Sequence, residues 1–142
     1  MGRTEEAPGV RKVTSDDEQL AWFRRGAQEL RIADALDGAD GVAMTVGFGR
    51  WAAGEANDWT VSYDEALVVT KGRFAIDSGG TSTLAGPGEV IYLSAGTDVV
   101  YRAEEDSEVV YVTYPHWFAA TERSPHAARL GEFRPEAGVT SG

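Results

Sequence analysis

Glu65 is the side chain of this sequence best suited to move a proton, and Tyr63 stands two positions before it in Tyr63-Asp64-Glu65. Side chains at i and i+2 of a strand share a face, so a carboxyl and a phenol would point the same way. A carboxyl held against apolar neighbours has its charge disfavoured and its pKa raised, which suits general acid or base work near neutral pH. His116, in Tyr114-Pro115-His116-Trp117, follows the last predicted strand and could serve as a proton shuttle. Trp51 and Trp59 offer flat apolar surfaces on which a small ligand could stack. Arg50 alternates to the face opposite Trp51. There is no cysteine, so disulfides and thiolate metal sites are excluded, and the histidines are His116 and His126 alone. No G-x-S-x-G elbow and no phosphate-cradling P-loop occurs, and Gly79-Gly80 reads as a turn.

The elements that must position these groups read mainly as short strands. From Val42 onward, apolar alternation is broken by glycine and proline turns: Val42–Trp51, Glu65–Thr70, Arg73–Asp77, Thr81–Leu84, Val90–Leu93, Val99–Arg102 and Glu108–Tyr114. Lys71-Gly72 and Gly86-Pro87-Gly88 mark turns between them, and Ala103 to Ser107 is an acidic hairpin tip. Gly47 and Gly49 share one face of their strand, where a backbone, a ligand or a bend would come close. Even spacing of this kind predicts an all-β antiparallel sandwich or barrel. Ahead of it, Ser15-Asp16-Asp17-Glu18 fits a capping box, predicting a short N-terminal helix over Asp16–Arg25 that ends at Gly26 and buries Leu20, Phe23 and Trp22. The expected organisation is an N-terminal arm and helix over 1–40, a barrel over 41–118 and an irregular C-terminal tail over 119–142. In that tail His126, Leu130 and Phe133 would clip onto the barrel or a neighbouring subunit.

The chain has 142 residues and 42% hydrophobic residues, enough for one domain with a core. Its formal net charge of -10 argues against nucleic acid and anionic membrane surfaces as partners. No apolar run reaches the ~18 residues of a membrane span, and the first residues lack the apolar stretch of a signal peptide. A cytoplasmic protein is expected.

Thr45 to Trp117 carries a family resemblance. Gly47-Phe48-Gly49-Arg50-Trp51, Trp59 to Glu65, Gly86-Pro87-Gly88-Glu89-Val90 and Tyr111-Val112-Thr113-Tyr114-Pro115 resemble the ethanolamine-utilisation branch of the cupins. Gly54–Gly72 and Gly88–Val99 stand for the two cupin signatures. The resemblance implies a small jelly-roll barrel, dimeric, with Glu65 facing inward at the family's spacing from Gly72. In ordinary cupins histidines accompany that glutamate. Here their positions fall on Trp59 and Val61, or on Asp58 and Thr60, and the second signature's histidine falls on Val99. Such side chains do not hold a transition metal, so no metal and no other cofactor is expected. The remaining metal option, Glu65 with Tyr63 and His116 as unconventional ligands, would be decided by elemental analysis. Tyr101, two positions after Val99, would share its inward face and reach Glu65 across the barrel. The catalytic candidates are therefore Glu65, Tyr63, Tyr101 and His116, and the substrate-binding candidates are Trp51, Trp59, Phe48, Val99 and Tyr111. Together they imply a metal-independent isomerisation, elimination or cyclisation of a small, partly apolar molecule. The alternative is a non-catalytic binding or auxiliary protein of a metabolic pathway. A homodimer would cover the sheet edges that a small barrel leaves, with Arg31 to Ala35 and the tail available for that.

Overall fold

The structure, a computed structural model, describes residues 7–26 and 30–136. The first residues of the expected arm, 1–6, and the end of the expected tail, 137–142, lie outside the described residues. Apolar alternation becomes strands in chain order: β1 (Phe23–Arg25), β2 (Arg31–Leu36), β3 (Thr45–Trp51), β4 (Ala56–Thr60), β5 (Asp64–Lys71), β6 (Phe74–Ser78), β7 (Thr81–Ala85), β8 (Val90–Leu93), β9 (Asp98–Ala103), β10 (Ser107–Tyr114) and β11 (Phe133–Pro135). A single α-helix among the described residues, α1 (Trp117–Glu122), follows β10, and a 3-10 segment, Ala127–Glu132, leads into β11.

The strands form two antiparallel sheets in the order β11-β1-β2-β3-β10-β5-β8 and β4-β9-β6-β7. The core lies where their apolar faces meet. In β5, Glu65, Leu67 and Val69 are buried and their neighbours less so. In β10, Val109, Tyr111 and Thr113 are buried with the same period. Such two-residue alternation is what a sheet with one covered face requires.

A glycine is obligatory in two places. Gly72 adopts φ +84° after β5, and a side chain there would run into the Asp106 carbonyl. Gly47, paired with Tyr111 across β3 and β10, leaves the room that the Tyr111 ring fills, and a Cβ at Gly47 would overlap that ring. The close approach expected at Gly47 is thus made by a side chain.

The helix lies at the other end of the chain from the one expected. Asp16–Arg25 is not helical: Asp17 caps a turn by accepting from the Gln19 amide at 2.8 Å, and Phe23–Arg25 becomes β1. A helix of that length is marginal in water, and here both edges of the segment are paired, with Arg31–Ile32 on one side and Phe133–Pro135 on the other. The C-terminal region is more ordered than an irregular tail. It contributes α1, the 3-10 segment and β11, and Leu130 and Phe133 pack against the core.

Candidate functional site

A cavity of about 60 Å³ opens between the sheets. A water needs roughly 10–15 Å³ of such space, so this is room for a few waters or one end of a small molecule. Its walls combine Glu65 and Tyr63 from the β5 region, Trp51 from β3, Asn57 and Trp59 from β4, Tyr101 from β9 and Tyr111 from β10. Leu30, Ile32 and Leu67 supply aliphatic surface. Trp117 and Phe133, ring centroids 5.4 Å apart, come from the C-terminal region. Ile32, Trp117 and Phe133 also line an adjoining hollow of about 290 Å³, which Phe23, Phe118 and Leu130 extend.

The polar groups form a continuous chain. Tyr101 donates to Glu65 Oε1 at 2.7 Å, and Trp59 Nε1 donates to the Tyr63 hydroxyl at 2.9 Å. The Tyr63 and Tyr101 hydroxyls also meet each other. Burial pushes the Glu65 carboxyl up to about 7, against a partial pull downward from the Tyr101 hydrogen bond. Near neutrality both forms of this carboxyl coexist, so it can accept or deliver a proton. Burial, reinforced by the Glu65 charge, drives the Tyr63 and Tyr101 phenols well above their ordinary range, so they remain protonated donors.

A second carboxyl, Asp34 on β2, was not singled out in the sequence. It accepts from the Tyr111 hydroxyl at 2.6 Å and from Trp117 Nε1 at 2.9 and 3.1 Å. Burial raises its pKa while these donors draw it back. Its pairing across β2 and β3 with Gly47 puts it over the gap that Tyr111 fills. The alternation Ile32-x-Asp34 was the available signal, masked because β2 was read only as a possible edge cover.

Six of the sequence candidates line the cavity: Glu65, Tyr63, Tyr101, Trp51, Trp59 and Tyr111. Three do not. Phe48 lies on the outer face of β3, opposite in phase to Trp51, and lines a surface groove with Arg50 and Glu108. Strand alternation requires this, since positions three apart face opposite ways. Val99 points inward and is 3% exposed, but it is packed into the core away from the cavity wall. His116 sits at the end of β10 with both ring nitrogens engaged, Nε2 at 2.8 Å from the Val42 carbonyl and Nδ1 at 2.7 Å from the Thr45 hydroxyl. A carbonyl only accepts, so Nε2 carries a proton, and Nδ1 is occupied by the Thr45 hydroxyl. No ring nitrogen is left to shuttle protons into the cavity.

The mouth is braced by charge. Arg25 donates to Glu132 at 2.7 Å and to the Asp58 carbonyl at 2.5 Å, and stacks 4.8 Å from the Trp59 ring centroid. Arg129 bonds Asp58 and Glu132 from the 3-10 segment. The C-terminal region is thereby tied across the opening.

Cupin barrels commonly hold a metal, and the donor set here does not fit one. The signature positions, Trp59 and Val61 or Asp58 and Thr60 in the first and Val99 in the second, present no imidazole. Among the described residues no cluster of three His, Cys, Asp or Glu side chains could hold a metal ion. No helix among the described residues is long and apolar enough to cross a membrane.

Two antiparallel sheets enclosing a cavity lined by residues of the first cupin signature define a cupin barrel, and the solved structures agree. The putative ethanolamine utilization protein Q of Salmonella typhimurium superposes with a TM-score of 0.59 at 26% identity, over 61% of this chain and 69% of that one. Ectoine synthase from P. lautus superposes with a TM-score of 0.61 at 20% identity, over 82% of this chain and 83% of that one, which shows a shared fold alone. The family model "Ethanolamine utilisation protein EutQ" matches residues 24–120, and the chain belongs to that family. A curated relative, acetate kinase EutQ of Escherichia coli, is 27% identical over 84 residues, covering 59% of this chain and 36% of the relative. The chain therefore spans only about a third of that relative's length.

Proposed function

We propose that this chain is a metal-independent cupin enzyme that uses Glu65 as the proton-transferring group on a small, partly apolar molecule, in an isomerisation, elimination or cyclisation. The observation that supports it is a buried carboxyl whose pKa is pushed up to about 7, hydrogen-bonded to Tyr101 and lining a cavity. Tyr63 and Tyr101 act as neutral donors that hold Glu65 and a ligand oxygen. Trp59, Trp117 and Phe133 shape the apolar side of the cavity, fixing the bound conformation. The phosphoryl transfer in the name of the relatives is not carried over. The wall's one cation among the described residues, Arg25, is engaged by Glu132 and Asp58, leaving little to meet a phosphate.

The test is exchange of α-protons for deuterium in a panel of small carbonyl compounds in D2O, with protein purified without chelator and assayed for metal by elemental analysis. Exchange that disappears in Glu65→Gln, in protein free of stoichiometric metal, is the expected result. A folded Glu65→Gln variant that keeps full exchange rules the role out. A second reading rests on the partial coverage of the relatives: the chain as a ligand-binding auxiliary module with no turnover. Ligand binding by the wild type with no exchange on any compound would favour it.

The expected homodimer also belongs to this reading, with the outer face of the larger sheet as its contact. Val46 and Phe48 of β3, Val68 of β5 and Val110 and Val112 of β10 make that face apolar. A second copy of the chain is its natural cover, since a face of this kind is self-complementary about a twofold axis. Light scattering should give a dimer, and Val110→Lys a monomer. An acidic, cysteine-free chain fits a cytoplasmic site, checked by cell fractionation.

A further inference from the structure

Two buried N–H donors on the cavity wall, Trp51 Nε1 and Asn57 Nδ2, have no hydrogen-bond partner among the described residues. Trp51 is 5% exposed and Asn57 is 4% exposed, so bulk water does not supply the missing bonds. A buried donor left unpaired is costly, and native proteins rarely leave one without a reason. The two residues come from different sheets and line the same cavity. Asn57 sits directly across the β4–β9 ladder from Tyr101, and the Trp51 ring centroid lies 6.1 Å from that of Tyr101. Tyr101 in turn holds Glu65. Both residues therefore neighbour the tyrosine that holds the acid.

Charge decides what they receive. The guanidinium of Arg25 is taken up by Glu132 and Asp58, and the carboxyl on the cavity wall, Glu65, brings no positive charge. A carboxylate entering here would lose its hydration and meet no uncompensated cation. A neutral carbonyl oxygen has two lone pairs, needs no counter-charge and accepts two N–H bonds.

We propose that Trp51 and Asn57 form a paired-donor pocket for the oxygen of a neutral carbonyl group, a ketone, aldehyde or amide, with the carbon beside that carbonyl turned toward Glu65. The step it would support rests on the acid–base reading above. The Glu65 carboxylate takes a proton from the adjacent carbon, the C–H pair forms a C=C bond, and the carbonyl π pair moves onto oxygen. The resulting enolate oxygen sits between the two N–H donors, which gain strength as its charge grows. Glu65 then returns the proton to a different atom, and no oxidant or reductant is consumed.

The experiment is a titration of the full chain with acetamide, and separately with acetate of nearly the same shape, followed by the indole N–H resonances in ¹H–¹⁵N spectra. The Trp51 signal is assigned by its loss in Trp51→Phe. Acetamide should move that signal downfield and bind roughly tenfold more tightly than acetate, and Trp51→Phe and Asn57→Leu should each weaken it by about tenfold. Asn57→Asp, which keeps the side chain's size and removes the donors, guards against a misfolded Asn57→Leu. Acetate binding as tightly as acetamide, or a Trp51 signal unmoved by saturating acetamide, overturns the proposal. The exchange assay on the wild type, set beside the titration, separates the two readings. Acetamide binding retained in wild type with no exchange in any compound leaves this pocket standing and removes the acid–base role. Exchange retained with an unmoved Trp51 signal does the reverse.

Discussion

Glu65 and Asp34 are both carboxyls raised by burial, and they are held in opposite ways. Glu65, from β5, is 6% exposed and receives a single hydrogen bond, from the Tyr101 hydroxyl. Asp34, from β2, is less enclosed and receives the Tyr111 hydroxyl and the Trp117 indole N–H. Donors aimed at an anion compensate it for lost water, and burial without donors does not. Asp34 is therefore a clamp, fastening β10 and α1 to β2. Glu65 is left close to the balance point between its two forms. Burial by itself does not mark a working acid. On the proposed reading, the ratio of burial to donors does.

The largest expected effect tests that contrast directly. In the deuterium-exchange assay, Glu65→Gln should lower the rate by about 100-fold or more, the usual weight of a positioned acid or base. Asp34→Asn, which keeps the shape and one acceptor oxygen, should cost less than about tenfold, through loosened packing around Tyr111. Equal losses in the two variants would erase the distinction.

Stability against pH sharpens it. The Glu65 carboxyl rises from 4.5 in the unfolded chain to about 7 in the fold. Between those values the native state binds the extra proton, so stability falls as pH rises through the interval, and the loss is complete above it. The size is on the order of 3 kcal/mol, at 1.36 kcal/mol per pKa unit. Glu65→Gln carries no such cost. It should unfold at higher denaturant than the wild type at alkaline pH and match it below the unfolded pKa. Asp34, raised as well, contributes a slope of the same sign that persists in the variant. A wild type as stable in alkali as in mild acid would show Glu65 to be better solvated than its position indicates.

Removing the clamp comes next. Asp34→Ala strands the Tyr111 hydroxyl and the Trp117 N–H, and should cost about 2 kcal/mol in a urea titration. Tyr111 and Trp117 also line the cavity, so a change in its shape should accompany the loss. A cost under about 0.5 kcal/mol would mean that water replaces the carboxylate freely and that the clamp is nominal.

Much of this was legible in strand periodicity. The cupin resemblance implies an inward Glu65, two-residue alternation carries Tyr63 to the same face, and Tyr101 reaches Glu65 at 2.7 Å. The same rule, applied consistently, puts Phe48 outside once Trp51 is inside. What stayed hidden depends on contacts distant in sequence. β1 exists because Phe133–Pro135 and Arg31–Ile32 pair with it, and no local signal in Phe23-Arg24-Arg25 reports either partner. Ser15 to Glu18 did carry a local helix signal, and sheet pairing overrode its continuation. Asp34 is a lone acid in a weakly patterned strand. Its role appears only when Gly47, Tyr111 and Trp117 are brought around it from three other elements.

His116 gives the smallest effect and separates a structural polar group from a catalytic one. Its ring joins the Val42 carbonyl to the Thr45 hydroxyl, fastening the end of β10 to the entry of β3. Glutamine can donate through its amide and accept through its carbonyl, though with a different reach. His116→Gln should therefore cost about 1 kcal/mol in a urea titration, the net worth of one imperfectly replaced hydrogen bond. Deuterium exchange should keep its wild-type rate and its wild-type pH profile, because neither ring nitrogen faces the cavity. A shifted pH profile with unchanged stability would return His116 to the proton path, and Glu65 would then no longer be the group that sets the chemistry.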